Sequence, residues 1–125
     1  MVAIEARILP DDNIQRLSSM RYLAHLYQRD RQSEKAIELL EFILPFEESI
    51  FREEHKKTLT TQHNLAYAYA DMGQISKARR LLEKVVAVKE RILADDDPDL
   101  LVSRKELTRI SRLADRDIML TDVQG

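Results

Sequence analysis

The sequence repeats itself at a step of 42 residues, and this repeat limits the possible folds more than any other feature. Leu23-Ala24 returns as Leu65-Ala66, and Leu39-Leu40-Glu41 returns as Leu81-Leu82-Glu83. The same step joins Tyr27 with Tyr69, Ala36 with Ala78, Ile43 with Val85, and the leucines Leu17, Leu59 and Leu101. A fixed step of roughly 20–50 residues is typical of solenoids, in which each unit covers the exposed face of its neighbour. The repeat therefore predicts a stack of similar units.

Each unit reads as two helices joined by a tight turn, most clearly between Thr58 and Leu93. Apolar residues recur at steps of three and four residues on both sides of Gly73, as they do on one face of an α-helix. Gly73 can adopt a positive φ and end the first helix, and Ser76 is a candidate N-cap for the second. Arg31 stands where Gly73 stands in the next unit, which requires either a strained φ at Arg31 or a different turn. The predicted fold class is all-α, with tandem helical hairpins forming a short right-handed superhelix, an α-solenoid.

Composition agrees with a helical chain and excludes several classes of function. Among 125 residues, two glycines, three prolines and 34% charged residues suit a helix-rich domain, and 44% apolar residues are enough for a core. The absence of cysteine excludes disulfides, thiolate chemistry and Cys-based zinc sites. A net charge of −2 gives no overall attraction to nucleic acid or to acidic membranes. Because the sequence contains neither a membrane-length apolar run nor a signal peptide, we expect a cytoplasmic protein with no membrane partner.

A set of small, polar and aromatic positions in the second unit carries a family resemblance. These residues are Thr58-Leu59, Asn64-Leu65-Ala66, Tyr69, Gly73, Ala78, Leu82 and Val85. Together they resemble the tetratricopeptide repeat, in the form of about 42 residues found in kinesin light chains. That form opens its units with a pattern like H-P-x-T-L. His55-Lys56-Lys57-Thr58-Leu59 lacks only the Pro, and Asp97-Pro98-Asp99-Leu100-Leu101 keeps the Pro but lacks His and Thr.

The resemblance covers nearly all of residues 1–114. Similar repeats also follow nucleotide-binding domains in immune-type signalling ATPases, so the resemblance does not identify the parent protein. The predicted segments are the end of a preceding repeat's second helix (1–9), repeat 1 (10–52), repeat 2 (53–93), the first helix of repeat 3 (94–114) and a C-terminal extension or cap (115–125). Helices are predicted near 14–29, 34–52 and 99–114, with a helical hairpin over 57–93.

Local signals at the helix ends refine this division. Residues 10–13 read as a loop before the first helix, and Pro45 should bend the helix that contains it, because proline removes a helix hydrogen bond. Asp97 is predicted as an N-cap, with Pro98 at the first helical position. Residues 118–120 either prolong the last helix as an apolar lid or fray.

No pattern in the sequence predicts catalysis. The serines and threonines have no obvious partnered base, and neither a glycine-rich phosphate loop nor an H-E-x-x-H motif occurs. His25 and His63 fall on the first helices of adjacent units, but two imidazoles without a third ligand make a poor metal site. The aspartates of residues 95–99 lack the glycine, spacing and closing Glu of an EF-hand loop. We therefore predict a non-enzymatic protein with no catalytic residue, cofactor or metal site.

The resemblance also implies a ligand site. In tetratricopeptide arrays the first helices of the units line the concave face, where ligands bind. The positions carried over are Arg21, His25, Gln28 and Arg29 in the first unit, His63, Asn64, Tyr67, Ala70 and Asp71 in the second, and Lys105, Glu106, Arg109 and Arg112 in the third. Five of these are permanently basic and two are acidic, whereas many carboxylates lie on the second helices and loops. This predicts a positive groove, and the alternative is a solvated helical face of mixed charge.

The predicted function is a protein–protein interaction module that binds acidic peptide segments in this groove, as the kinesin light chains it resembles bind acidic cargo peptides. One alternative is a structural, sensor or self-association segment of a larger nucleotide-binding signalling protein, forming homo-oligomers through exposed repeat ends. Another is weak nucleic-acid binding, which the net charge disfavours and which predicts a steep salt dependence.

Overall fold

A computed structural model of the protein describes residues 10–52 and 55–124, with side chains described for 15–52 and 55–116. Within these residues the chain forms five α-helices and no strand. The helices are α1 (Pro10–Arg29), α2 (Ser33–Ile50), α3 (Lys56–Asp71), α4 (Ile75–Ile92) and α5 (Pro98–Gln124). Each helix packs against the next in sequence, and α1 also contacts α3. The molecule is an α-solenoid of helical hairpins, which confirms the predicted fold class.

The turns within the two hairpins have the same backbone construction. In the first turn Arg31 has a φ of 61°, and in the second Gly73 has a φ of 78°. The residue after each of them donates its backbone N–H to the residue five positions earlier, and both bonds are 2.8 Å long (Gln32 to Tyr27, Gln74 to Tyr69). Arg31 therefore has a left-handed backbone conformation that residues other than glycine rarely adopt.

We expect Arg31→Gly to raise the free energy of unfolding by about 1 kcal/mol, because glycine relieves the left-handed strain at this turn. Urea denaturation of the variant and the parent protein measures the difference. Gly73→Ala is the reciprocal control: a Cβ there meets nothing within 4 Å, so only backbone strain lowers its stability. A decrease in stability for Arg31→Gly would contradict the strain argument.

The core repeats with the sequence. Pairs of equivalent residues are fully buried in both hairpins, and these pairs are Ala24 with Ala66, Ala36 with Ala78, Leu40 with Leu82, and Ile43 with Val85. One apolar cluster joins α1 and α2 to α3, and a second joins α3 and α4 to α5. Small alanines where the two helices of a hairpin meet allow their backbones to approach closely. The hydrophobic effect therefore stabilises the stack through each pair of successive helices.

Tyr27 and Tyr69, which the 42-residue step relates, both lie at the edge of this core. Both are half-buried and pack against the apolar clusters. The Tyr69 hydroxyl donates a hydrogen bond to Glu41 of α2, and burial together with this carboxylate raises the pKa of Tyr69. The Lys35 and Lys77 ammonium groups lie over the two tyrosine rings, 5.7 and 5.5 Å from the centroids.

Several helix ends differ from the prediction. The expected loop over residues 10–13 is wrong, because α1 begins at Pro10, where the fixed φ of proline suits a first helical position. Ser76 is not an N-cap: α4 begins at Ile75, because the turn places Gln74 at the cap position. Asp97 does cap α5, since its Oδ1 accepts the Asp99 N–H at 2.9 Å.

Two helices continue through positions at which the sequence predicted a bend or alternative helix ends, Pro45 in α2 and residues 118–120 in α5. α2 contains Pro45 and continues to Ile50. α5 continues to Gln124, so residues 118–120 prolong the helix; their side chains lie outside the described residues, as do residues 1–9. The division of the chain into repeats remains a prediction. No helix in the described part of the chain combines the length and the apolarity needed to cross a membrane.

Candidate functional site

The residues predicted to line a groove lie on α1, α3 and α5. On α1, His25 and Arg29 are exposed and Gln28 is half-buried; on α5, Lys105, Arg109 and Arg112 are exposed. On α3, His63 and Asn64 are half-buried, and Tyr67 is 41% exposed. Most of the predicted set is thus accessible to a ligand.

Tyr67 and Arg109 connect two of these helices. The Arg109 guanidinium lies over the Tyr67 ring, 5.8 Å from its centroid, in a cation–π contact between α3 and α5. Arg109 also donates hydrogen bonds to Glu106 one turn earlier, and these bonds raise the pKa of Arg109. The arrangement holds a fixed cation beside a partly exposed aromatic face.

A shallow depression of about 710 Å³ surrounds this cation. Its charged lining residues are Lys105, Glu106, Arg109 and Arg112. Glu106 is the single acid among them and is bonded to Arg109. The depression therefore presents an excess of positive charge, the polarity that attracts carboxylates.

Arg21 is placed differently from the other basic residues of the predicted set. Its Nη1 donates to Glu47 Oε2 of α2 at 2.7 Å, and its side chain is only 15% exposed. Glu47 is fully buried, and burial raises the pKa of its carboxyl despite the opposing effects of Thr61 and Arg21. Glu47 therefore neutralises the charge of Arg21 inside the protein, and Arg21 is not free to contact a ligand carboxylate.

His63 and Asn64 line a second cavity, of about 460 Å³, between α3, the end of α4 and the start of α5. There Lys89 Nζ donates to Ser103 Oγ at 2.8 Å, and the same Oγ lies 3.5 Å from His63 Nδ1. Burial lowers the pKa of Lys89, and burial with the nearby Lys89 charge lowers the pKa of His63. Lys89 and Ser103 were not among the predicted residues, although they lie one 42-residue step after the polar residues Glu47 and Thr61.

Neither cavity presents an arrangement suited to catalysis. Ser103 and Lys89 have the composition of a serine–lysine dyad, but Ser103 is fully buried, so its hydroxyl cannot reach a substrate carbonyl. In the described part of the chain, no group of three or more histidines and carboxylates is placed to hold a metal ion. The accessible chemistry is recognition by hydrogen bonds, ion pairs and an aromatic surface.

Comparison with known proteins agrees with this architecture. The family model described as tetratricopeptide repeat matches residues 15–91. The crystal structure of a kinesin-light-chain-like protein of Podosopora anserina, with nearly identical TPR-like repeats, is similar with a TM-score of 0.78 and 40% identity. That match covers 87% of this chain and 52% of the other.

A single-substitution variant of the same Podosopora anserina protein is similar with a TM-score of 0.73 and 39% identity, covering 81% of this chain and 48% of that one. The chain thus spans about half the length of the structures it matches. No curated protein matches it. Repeats of this family are in general non-catalytic scaffolds for protein–protein interaction. The chain belongs to the tetratricopeptide repeat family, with repeats of the kinesin-light-chain type.

Proposed function

We propose that the chain binds acidic peptide segments of partner proteins in a groove lined by α1, α3 and α5. The observation that carries this proposal is the row of cations on α5. Lys105, Arg109 and Arg112 are exposed along one depression, where the single acid is already paired. The chain as a whole has a net charge of −2, so this positive surface is a local feature.

Tyr67 supplies the second element of the proposed site. Its ring is partly exposed beside Arg109, so a peptide that crosses from α5 to α3 meets both a cation and an apolar surface. Peptide carboxylates would pair with the α5 cations, and one large apolar side chain would pack near the tyrosine. Because a flexible peptide loses entropy when it docks, we expect affinities in the micromolar range.

We expect Arg109→Glu to weaken binding of an acidic peptide by about tenfold or more, because it removes an attraction and adds a repulsion. The probe is a labelled peptide of about ten residues with several glutamates and one large apolar side chain. Fluorescence anisotropy compares this peptide with its charge-reversed scramble at two salt concentrations. Arg80→Glu is the matched control, since Arg80 is exposed on α4, away from the proposed groove.

Equal binding of the acidic and charge-reversed peptides, or no loss with Arg109→Glu, would overturn the proposal. A single-stranded oligonucleotide that competes with the peptide and loses affinity steeply with salt would favour nucleic-acid binding. If neither ligand binds, self-association is the function left to test. The apolar surface that supports self-association is on α1, where Leu23 and Leu26 are partly exposed, whereas Leu65, the residue of α3 equivalent to Leu23, is buried.

A further inference from the structure

The two interfaces between successive helical hairpins have equivalent polar positions. We name the packing of α2 against α3 the first interface and that of α4 against α5 the second interface. At the first, Gln62 Nε2 donates to Glu48 at 3.5 Å; at the second, Arg104 donates to Glu90 at 3.0 Å. Both residues of the second pair follow those of the first by 42 residues. The same positions therefore meet at both interfaces.

Beside the first interface, within the first hairpin, Arg21 of α1 and Glu47 of α2 form a buried ion pair. Glu47 is fully buried, accepts a hydrogen bond from Arg21 at 2.7 Å, and has the hydroxyl of Thr61 beside it. Thr61 is itself fully buried. The carboxylate and the guanidinium neutralise each other within the protein, which is the usual condition for keeping a charge in the interior.

At the second interface the charge at the Glu47 position is reversed. One step further along the chain, Arg21, Glu47 and Thr61 become His63, Lys89 and Ser103. The group facing the Lys89 ammonium is an imidazole whose pKa is lowered, and therefore uncharged at neutral pH. In the described part of the chain no carboxylate lies within 4.0 Å of Lys89 Nζ, which donates only to Ser103 Oγ and, at 3.5 Å, to the Asp99 carbonyl.

The cavity of about 460 Å³ opens at this unpaired cation. Lys89 is half-buried, so its ammonium has lost part of its hydration, and the Asp99 and Asp97 charges act on it only from beyond ion-pair distance. Asp97 and Asp99 also line the cavity, but the Asp97 carboxylate caps α5 and Asp99 is exposed to solvent. The Asn64 amide lines the same cavity and offers further N–H donors. Space, a desolvated cation and neutral donors together define a site for an anion small enough to enter.

We propose that this cavity is a carboxylate-binding subsite of the peptide groove, in which one carboxylate of an acidic peptide pairs with Lys89 Nζ beside His63 and Ser103. The bound carboxylate supplies the direct counter-ion that Lys89 lacks, as Glu47 does for Arg21 in the first hairpin. This inference rests on the proposed peptide-binding function and assigns one contact within it. The carboxylate comes either from a Glu or Asp side chain or from the peptide C-terminus, which share the same chemistry.

The internal repeat supplies the test. Lys89→Met removes the ammonium and keeps an apolar chain of similar length. The triple variant His63→Arg/Lys89→Glu/Ser103→Thr instead copies the residues of the first interface and closes the subsite with an internal ion pair. Anisotropy titrations with the labelled acidic peptide should show about tenfold weaker binding for both variants. Melting followed by circular dichroism should show that both remain folded.

The peptide itself identifies the carboxylate involved. A series with single Glu→Gln changes, together with a C-terminal amide, is titrated against the parent protein and Lys89→Met. One modified peptide of the series should bind the parent protein more weakly than the unmodified peptide does. The same peptide should bind Lys89→Met as well as the unmodified peptide does, because Lys89, the partner of the altered carboxylate, is already absent from that variant. A loss confined to the amide would assign the C-terminus, and a loss confined to one glutamine would assign a side chain.

The two proposals fail in different ways. If the parent protein binds the acidic peptide and its charge-reversed scramble equally, the groove itself is wrong. If Arg109→Glu weakens binding but Lys89→Met binds as the parent does, the subsite is overturned while the groove stands. Should the triple variant fail to fold, Lys89→Met and the peptide series still decide the question.

Discussion

Arg21→Met lowers the free energy of unfolding at neutral pH by about 3–5 kcal/mol, because it leaves a buried carboxylate without its counter-charge. Glu47 is fully buried, and its Oε1 has no hydrogen-bond partner among the described residues, so Arg21 is the main group that compensates its charge. Urea denaturation of the variant and the parent protein measures the loss. A decrease below about 1 kcal/mol, the value typical of an exposed pair, would contradict the assignment.

The double variant Arg21→Met/Glu47→Leu is the control for this result. It removes both charges from the first hairpin and replaces them with apolar side chains, a change that is often neutral or stabilising. We expect it to recover most of the stability that Arg21→Met loses. Recovery would attribute the loss to the orphaned carboxylate and not to missing contacts of the arginine stem.

The deficit of Arg21→Met should also depend on pH. In the parent protein burial already raises the pKa of Glu47 above its ordinary value near 4.5. A carboxyl with a raised pKa contributes stability below that ordinary value and loses it as the pH rises through the raised pKa. Removing Arg21 raises the pKa further, so the difference from the parent grows from pH 4.5 toward neutrality. A difference that stays constant with pH would exclude this origin.

Ala78→Leu should lower the free energy of unfolding by about 1–3 kcal/mol, because no space remains for three more carbon atoms. Ala78 is fully buried on α4 and belongs to the apolar cluster that contains Ala66 and Leu82. Ala87→Leu makes the same change on the same helix at an exposed position and should have little effect. Thermal melts of the two variants compare them directly, and equal losses would show that the buried face of α4 is assigned wrongly.

The fold could be predicted from the sequence because the 42-residue repeat constrains the helices, the turn between them and the core in the same way. The 42-residue step places equivalent apolar residues in equivalent environments, and the structure buries Leu40 and Leu82 alike. The sequence left two alternatives for the first turn, and the structure has the left-handed φ at Arg31 and not a different turn. The exact helix starts did not follow, because Pro10 and Ser76 are compatible both with a cap and with a first helical turn.

The candidate site could be predicted from the sequence less completely, because it depends on contacts between different helices. Helical periodicity indicates which face of a helix a residue occupies, and this was enough to place Lys105, Arg109 and Arg112 along one exposed depression of α5. It does not indicate which residue of another helix lies opposite. Arg21 pairs with Glu47, 26 positions away, and this pairing removes its charge from the proposed groove. Lys89 could have been found by extending the repeat comparison from apolar residues to polar ones.

The packing of each helix against the next determines how cooperatively the molecule unfolds. In such a stack the total stability is close to a sum of the hairpins and the couplings between neighbours. The Arg21–Glu47 pair links the two helices of the first hairpin from within, whereas Lys89 links α4 to α5 by a hydrogen bond to Ser103 and has no ion-pair partner among the described residues. A hairpin that a buried ion pair closes should open less readily than one without such a pair. If a ligand carboxylate supplies the missing charge, binding would join the last helix to the rest of the array, so that one contact both recognises a partner and makes the stack behave as a single unit.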